Sequence, residues 1–393
     1  MGKKELTPKI RFAGFTDPWE QRKVGDYYEF KNGLNKGKEF FGSGTPIVNF
    51  TDVFHNRGIE TAKLKGRVTL EPSEIKNYEV KKGDLFFTRT SETIEEIGYP
   101  SVMLDEPENT VFSGFVLRGR CFLDQDPLDD LFKKYVFFTE SFRNEMLKKS
   151  SMTTRALTSG TSIKEMVFFH PSSKVEQRKI GELLSQIDNS ITLHQRKYEK
   201  LQNIKKSMLE KMFPRDGGCI PEVRFAGFTD PWEQRKLGDA VDVCSGKDYK
   251  HLDEGEIPVY GTGGYMLSVS EALSQHDAIG IGRKGTIDNP YILIAPFWTV
   301  DTLFYCVPKN SDLNFVYALY QTINWRSMDE STGVPSLSKT AINDVDIHIP
   351  SVDEQHRIGE LFSNLDETIT LHQCKHYRRK SGCHNRKSYL FSP

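Results

Sequence analysis

Long apolar runs are missing from this 393-residue sequence. No stretch approaches the roughly eighteen consecutive apolar residues that a transmembrane helix needs. Residues 1–6 also lack the apolar region that a secretory signal peptide carries at its centre. We therefore expect a cytoplasmic protein.

The sequence also lacks the usual cysteine and metal-ligand spacings. Its six cysteines form no C-x-x-C pair, and in a chain of this length they predict free thiols rather than a disulfide framework. The one set that could be drawn as a zinc site is Cys374, His376, Cys383 and His384. Its spacing matches no common zinc pattern, so we expect no bound metal.

Signs of catalysis are sparse as well. The chain contains no G-x-x-x-x-G-K-[ST] phosphate loop, which argues against ATP hydrolysis. Residues 288–291, Asp-Asn-Pro-Tyr, approach the Asn-Pro-Pro-Tyr loop of adenine methyltransferases but lack its second proline, and turn chemistry accounts for them. A net charge of −1 argues against a general nucleic-acid coat. It leaves room for a sequence reader whose positive charge is confined to one face.

What the chain does have is an internal repeat. Residues 8–26 read Pro-Lys-Ile-Arg-Phe-Ala-Gly-Phe-Thr-Asp-Pro-Trp-Glu-Gln-Arg-Lys-Val-Gly-Asp and return as residues 221–239 with three differences. A second repeated block, Glu-Gln-x-x-Ile-Gly-Glu-Leu, begins at Glu176 and again at Glu354. The segments between the blocks, about 27–173 and 240–350, show little mutual similarity. This pattern favours a common scaffold that presents two different surfaces, although a duplication whose middle segments drifted without purpose gives the same pattern.

The second repeated block opens a long predicted helix, from about residue 174 to 213. Apolar positions alternate at spacings of three and four, which is a heptad seam interrupted only by His194 and Lys205. We interpret these two as register-setting or half-exposed seam positions. About 40 residues at 1.5 Å each make a rod of about 60 Å. The second copy repeats the spacing, so the two seams predict an antiparallel pair formed by Ile180, Leu184, Ile187, Ile191, Leu201, Ile358, Phe362, Leu365 and Ile369.

Each variable segment mixes strands with helix. The first has strand patterns at residues 45–50, 84–88 and 111–122 and an amphipathic helix at 128–149. The second has strand patterns at 257–260, 278–282 and 291–307 and a helix near 313–328. In both, a small polar loop (150–162 and 331–339) then leads into a strand (165–169 and 345–349).

Basic and hydroxyl side chains on tight polar turns are the candidate binding residues. Arginine can bond bidentately to guanine in the major groove, and hydroxyl and lysine groups can fix phosphates. In the first segment the candidates are Arg89, Thr90, Ser91, Thr153 and Arg155. In the second they are Arg283, Lys284, Ser336 and Lys339. A solvated surface side chain is the alternative interpretation for each.

The duplicated Phe-Ala-Gly-Phe-Thr-Asp-Pro-Trp-Glu segment and the Glu-Gln-x-x-Ile-Gly-Glu-Leu helix resemble those of type I restriction–modification specificity subunits. The turns Gly-Asp-Leu-Phe-Phe-Thr-Arg-Thr and Ala-Ile-Gly-Ile-Gly-Arg-Lys-Gly share the resemblance, which covers nearly the whole chain. It implies an α+β protein with a pseudo-twofold repeat, in which long antiparallel coiled-coil-like spacer helices join two target recognition domains. The domains implied are a first recognition domain (1–173), a first spacer helix (174–216), a second recognition domain (217–350) and a second spacer helix with an atypical tail (351–393).

The resemblance also implies a function and partners. Each domain would read one half of a bipartite, gapped site in double-stranded DNA, without catalysis by this chain. The helices would set the gap and bind two methyltransferase subunits, which motor–nuclease subunits would join. We expect no cofactor in this chain, since S-adenosylmethionine, ATP and magnesium would belong to the partners.

The second copy departs from the pattern after Gln373. Arg379 and Arg386 stand where the first copy has Leu201 and Met208, so the heptad seam is lost. A shifted reading frame or a recombined end would explain the mismatch, and a real tail of this kind predicts a short second helix. Two other functional interpretations stay open: an adenine methyltransferase with its own recognition domains, which would bind S-adenosylmethionine, and a coiled-coil scaffold without DNA affinity.

Overall fold

The computed structural model describes residues 8–152, 154–215 and 217–380, with side chains up to residue 373. The chain divides into two units, Met1–Ser190 and Ile191–Pro393. Each is α+β, so the predicted fold class is confirmed. Within the described residues, no helix is long and apolar enough to cross a membrane.

The first unit is built around a five-stranded sheet in the order β2-β10-β6-β8-β4. Smaller sheets have the orders β5-β3-β9, β11-β12-β7 and β1-β13. The strands are β1 (Glu20–Lys23), β2 (Tyr28–Asn32), β3 (Phe41–Val48), β4 (Gly58–Ile59), β5 (Arg67–Val68), β6 (Leu85–Thr88), β7 (Thr90–Ser91), β8 (Pro100–Met103), β9 (Val111–Phe112), β10 (Val116–Cys121), β11 (Ser151–Met152), β12 (Ala156–Leu157) and β13 (Val167–His170).

Two apolar clusters of this unit pack against opposite faces of strand β6. Leu85 and Phe87 pack in one apolar cluster with Phe142, whereas Phe86 packs in another with Phe112. Successive side chains of a strand point to opposite faces, so a run of apolar residues gives a strand that is covered on both sides. The helices of this unit are α1 (Phe50–Val53), α2 (Pro72–Asn77), α3 (Asp130–Val136), α4 (Glu140–Lys149) and α5 (Gly160–Lys164).

Two elements predicted as continuous in this unit are interrupted. The helix predicted over 128–149 is wrong in its continuity, because α3 ends at Val136 and α4 begins at Glu140. Phe137 is fully buried at the break, and Thr139 has an extended backbone (φ −60, ψ 145) that starts α4 anew. The strand predicted over 111–122 likewise splits into β9 and β10 at a turn through Gly114.

The second unit repeats this plan with fewer strands. Its main sheet has the order β15-β21-β18-β19, and its smaller sheets have the orders β17-β16-β20 and β14-β22. The strands are β14 (Glu233–Lys236), β15 (Val241–Ser245), β16 (Glu254–Gly261), β17 (Gly264–Val269), β18 (Ala278–Gly282), β19 (Tyr291–Leu293), β20 (Trp298–Thr299), β21 (Leu303–Pro308) and β22 (Asp346–Ile349). The single strand predicted over 291–307 is therefore wrong, since three strands occupy that stretch.

The long helix α6 (Lys174–Lys211) belongs to both units, and the helices of the second unit are α7 (Leu237–Ala240), α8 (Leu313–Thr322), α9 (Lys339–Asn343) and α10 (Val352–Lys380). The helix predicted near 313–328 ends as α8 at Thr322, and a 3₁₀ turn covers Trp325–Met328. Helix α10 has 29 residues against 38 in α6. The predicted loss of the seam at Arg379 and Arg386 lies outside the described side chains, as do Cys374, His376, Cys383 and His384.

Within each unit, the first repeated block forms an ion pair with the second. In the first unit, Arg11 Nε donates to Glu176 Oε1 at 2.7 Å and Nη2 donates to Oε2 at 2.8 Å. In the second, Arg224 makes the same two bonds to Glu354, at 2.6 and 2.7 Å. Each carboxylate raises the pKa of its arginine through this hydrogen bonding. Glu176 and Glu354 are each 1% exposed, so the repeat preserves a buried, bidentate ion pair.

The next residues of the motif join the spacer helix to the variable domain. Gln177 accepts from the backbone N–H of Asp129 at 2.7 Å, and Gln355 accepts from Asp312 at 3.2 Å. Four residues further on, Gly181 lies so close to Leu131 that a Cβ would stand 2.6 Å from the Leu131 carbonyl carbon. Gly359 lies equally close to α8, where a Cβ would stand 2.8 Å from the amide nitrogen of Phe315. These contacts explain why Glu, Gln and Gly recur at this spacing.

Within the second unit, the end of α6 pairs with α10 in antiparallel orientation. His194 Nδ1 lies 3.0 Å from His372 Nδ1, Lys205 forms an ion pair with Asp366, and the Phe213 ring lies 6.1 Å from the Phe362 ring. The residue numbers of the α10 partners decrease as those along α6 and just beyond it increase, so the two helices run antiparallel. His372 is also the copy of His194 in the repeat, so at this point each helix meets the same position of the other.

Candidate nucleic-acid interface

In the first unit, the predicted binding residues follow the central strand β6. The backbone N–H of Arg89 donates to the carbonyl of Phe115 at 2.9 Å, and the Arg89 carbonyl accepts from Thr158 N–H at 3.0 Å. Strands β6 and β10 pair Thr88 with Val116, so these bonds carry the ladder one residue further. Arg89 Nη1 donates to Gly114 O at 3.3 Å. The turn therefore orients one end of the guanidinium group and leaves its other donors available.

The other candidates of this unit lie beside Arg89 in the small sheet β11-β12-β7. Thr90 pairs with Leu157 and Ser91 with Ala156. The Ser91 hydroxyl bonds to the Glu96 carboxylate, whereas Arg155 forms an exposed ion pair with Glu92 at 3.2 Å. Four of the predicted residues (Arg89, Thr90, Ser91 and Arg155) are thus brought together on the two sides of one strand pair. Thr153 lies outside the described residues.

In the second unit, the predicted residues follow the central strand β18 in the same way. Arg283 N–H donates to the carbonyl of Thr302 at 2.8 Å, and the Arg283 carbonyl accepts from Leu337 N–H at 3.0 Å. Lys284 forms a bridge with Ser336. Arg283 is exposed, and its Nη1 makes a long contact of 3.5 Å with Asp301 O.

Lys339 lies a little apart from this group, at the start of α9. Its neighbour Ser338 caps that helix by accepting from Ala341 N–H at 3.0 Å. Lys339 itself is exposed. Both units therefore present a small set of basic and hydroxyl groups where a buried strand emerges and meets a polar loop.

The two sets correspond bond for bond. Arg89 and Arg283 each donate a backbone N–H to the strand on one side and accept at the carbonyl from the polar loop on the other. Each guanidinium group also points its Nη1 at the carbonyl one residue before that cross-strand neighbour. The units have diverged in sequence and still hold an arginine at one equivalent place. Sequence patterns indicated both arginines but not this equivalence, and they missed Phe115 and Thr302, whose positions depend on strand register.

We also searched the other described residues for a metal site and for unusual buried charges. No group of three or more His, Cys, Asp or Glu in that part of the chain is arranged to hold a metal ion. The strongly buried lysine, Lys133, is held by Asp126 at 2.6 Å and Asp130 at 2.8 Å. Burial lowers its pKa, but these two carboxylates more than offset the effect and leave the pKa raised. The two carboxylates thus stabilise the charge of a lysine that is 1% exposed in the first unit.

The two units are thus divergent α+β domains, each with an arginine at the same strand end. Comparisons with known proteins show what the chain is similar to. Residues 229–377 match the family model described as "Type I restriction modification DNA specificity domain". The putative type I restriction enzyme MjaX specificity subunit of Methanocaldococcus jannaschii is 23% identical over 246 residues, which cover 60% of this chain and 56% of that protein.

Two further similarities extend over nearly the whole chain. A putative type I specificity subunit of Mycoplasma genitalium is 23% identical over 387 residues, covering 93% of this chain and 91% of that protein. The crystal structure of a type I restriction–modification system S subunit from M. genitalium covers 95% of this chain and 96% of that one, with a TM-score of 0.66 and 18% identity. That structural similarity shows the fold.

Residues 229–377 thus match the family model of the type I restriction–modification DNA specificity domain, and the chain is similar to type I specificity subunits. The matched region spans about half the length of the archaeal relative and most of the mycoplasmal one. The predicted resemblance is confirmed. The roles of single residues remain predictions.

Proposed function

We propose that this chain is the sequence-specific DNA-binding subunit of a type I restriction–modification complex, in which each domain reads half of a bipartite, gapped target. The observation that carries the proposal is the equivalent placement of Arg89 and Arg283. A fold that keeps an arginine at one strand end while most of the surrounding sequence diverges provides a constant contact beside variable ones. Guanine is the base that an arginine fork recognises best, through its O6 and N7 in the major groove.

The scaffold provides the second part of the proposal. The helices α6 and α10 set the gap between the half-sites and bind two methyltransferase subunits, one for each copy of the repeated blocks. Motor–nuclease subunits join this core. The chain itself performs no catalysis and holds no cofactor, so S-adenosylmethionine, ATP and magnesium act in the partners, and the complex works in the cytoplasm.

The test is methylation mapping by single-molecule sequencing of DNA from cells that co-express this chain with its cognate methyltransferase subunit. We expect a methylated, two-part, gapped motif that disappears when the chain is deleted. Arg89→Gln should relax one position in one half-site, and Arg283→Gln one position in the other, since each bidentate contact discriminates by about 1–3 kcal/mol.

Lys82→Gln is the matched control. Lys82 is exposed in the turn that precedes β6, so its substitution removes a positive charge near the start of that strand without altering the Arg89 turn at its end. Its motif should be that of the unaltered chain. Absence of any motif, or a motif unaffected by both arginine substitutions, would contradict the proposal. S-adenosylmethionine binding by the isolated chain in equilibrium dialysis would favour a methyltransferase instead, and a complex without salt-dependent DNA affinity would favour a scaffold.

A further inference from the structure

The accessible residue opposite each of the two equivalent arginines differs between the units. Strand register places Phe115 opposite Arg89, because the preceding pair is Thr88 with Val116. The same register places Thr302 opposite Arg283, because the preceding pair is Gly282 with Leu303. Residues directly opposite each other on neighbouring strands have side chains on one face, about 5 Å apart. Each arginine therefore has one cross-strand neighbour on its own face of the sheet, a phenylalanine in the first unit and a threonine in the second.

On the other side, the polar loop pairs Leu157 with Thr90 and Ser336 with Lys284, so the loop residues opposite the arginines are Thr158 and Leu337. The bonds from Thr158 N–H to Arg89 O and from Leu337 N–H to Arg283 O, both 3.0 Å, agree with this register. Thr158 and Leu337 are each 3% exposed, so the accessible neighbour of the arginine is Phe115 in the first unit and Thr302 in the second.

Phe115 is 55% exposed and belongs to none of the apolar clusters of the described core of the first unit. Its ring is therefore accessible to a ligand that the neighbouring arginine binds. The arginine fork indicates what that ligand is, because it suits the edge of a guanine base.

Thymine carries the one apolar group, a 5-methyl, that base edges display in the major groove. We propose that the exposed residue opposite each arginine determines the base pair next to the one that the arginine reads, and that Phe115 contacts a thymine methyl in the first half-site. Thr302 instead offers a hydroxyl group to a polar base edge in the second half-site. This inference rests on the proposed function and adds a residue-level account of specificity to it.

The experiment uses the assembled complex with its cognate methyltransferase subunits and a duplex that carries the mapped motif. Each thymine of the motif is replaced in turn by deoxyuridine, which lacks only the 5-methyl group. At one position in the first half-site, next to the one relaxed by Arg89→Gln, the unaltered complex should lose affinity about 3- to 5-fold, as expected for one apolar methyl contact. The Phe115→Thr complex should bind the thymine and deoxyuridine duplexes equally.

The second half-site is the internal control, because Phe115→Thr should leave it unchanged in methylation mapping. The reciprocal change, Thr302→Phe, should shift preference at one position of the second half-site and nowhere else. Both side chains lie at the surface, and thermal unfolding should confirm that the variants fold.

The outcomes distinguish a failure of the proposed function from a failure of this inference alone. If no gapped motif is methylated, the proposed function fails and this inference fails with it. If the motif is present but no thymine shows a deoxyuridine effect that Phe115→Thr removes, the inference alone is overturned. The same conclusion follows if Phe115→Thr and Arg89→Gln relax positions that are not adjacent, or if the first half-site holds no thymine on either strand.

Discussion

Gly181→Ala tests the close packing between the spacer helix and the first variable domain. In an open helix interior, replacement of glycine by alanine stabilises by about 1 kcal/mol. Here the new Cβ would stand 2.6 Å from the Leu131 carbonyl carbon, 2.7 Å from its Cβ and 2.8 Å from its carbonyl oxygen. Two of these atoms are backbone and cannot rotate away, so α6 or α3 must shift. Overpacking of this kind costs about 1–3 kcal/mol or more.

The gain in helix propensity and the cost of overpacking oppose each other, and their sum decides whether Gly181→Ala stabilises or destabilises the protein. We expect a net loss of up to about 2 kcal/mol, because the backbone clash exceeds the gain in helix propensity. For a unit of this size that loss lowers the melting temperature by about 2–8 °C. Differential scanning calorimetry measures it, and hydrogen exchange resolved to residues 128–137 should show faster exchange in α3.

Asn189→Ala is the matched control, since Asn189 is exposed on the same helix and in the same unit. It should stabilise by up to about 0.7 kcal/mol through helix propensity alone. If Gly181→Ala stabilised the protein as much as the control does, the close approach of α6 to Leu131 would be refuted, and with it the structural reason for the glycine of the repeated motif.

Two further predictions concern ionisable groups. Lys205 and Asp366 are partly exposed (15% and 30%), so a double-mutant cycle with alanine should give a coupling of about 0.5–1 kcal/mol that decreases with salt. Burial lowers the pKa of His170 below its ordinary value of 6.5, so the unfolded chain binds a proton at this side chain more tightly than the folded chain does. The folded state is therefore fully stable, with respect to this group, above about pH 6.5, and it loses stability as the pH falls below that value. His170→Ile, which copies Ile349 of the second unit, should reduce the fall in unfolding temperature between about pH 7.5 and pH 5.5; an unchanged fall would contradict the assignment.

Much of the scaffold could be predicted from local pattern. The heptad spacing after Glu176 predicted a helix from about 174 to 213, and α6 covers Lys174–Lys211. The Ala-Ile-Gly-Ile-Gly run at 278–282 predicted β18 at its observed bounds. Such patterns suffice because each reports burial along a single element.

The breaks within elements could not be predicted in this way. The periodicity of 128–149 fits one helix, yet burial of Phe137 against Phe168 and Phe142 ends the first helix at Val136. Phe168 lies on β13, far from Phe137 in sequence, so this contact is not visible in the local pattern. The neighbours of the arginines were missed for a related reason, because the pairing of Arg89 with Phe115 depends on strand register, and register is a property of two strands rather than of either one.

The repeated blocks define where the variable domains can be exchanged. Val24 N–H donates to Met166 O at 2.9 Å, and Leu237 N–H donates to Val345 O at 2.8 Å. These equivalent bonds close each domain at its two ends, so residues 28–165 can be replaced by residues 241–344 with the closing bonds kept. Gln177 would then meet the N–H of the transferred Asp312, as Gln355 does in the second unit.

We expect this chimera to direct methylation of a motif that carries the second half-site twice. The reason is that base contacts specify sequence, and in the proposed function all of them lie between the closing bonds. Methylation mapping gives the result directly, and co-purification with the methyltransferase subunit shows whether the scaffold still assembles. A chimera that assembles but still methylates the first half-site would place the reading residues in the repeated blocks, contrary to the assignment of Arg89 and Arg283.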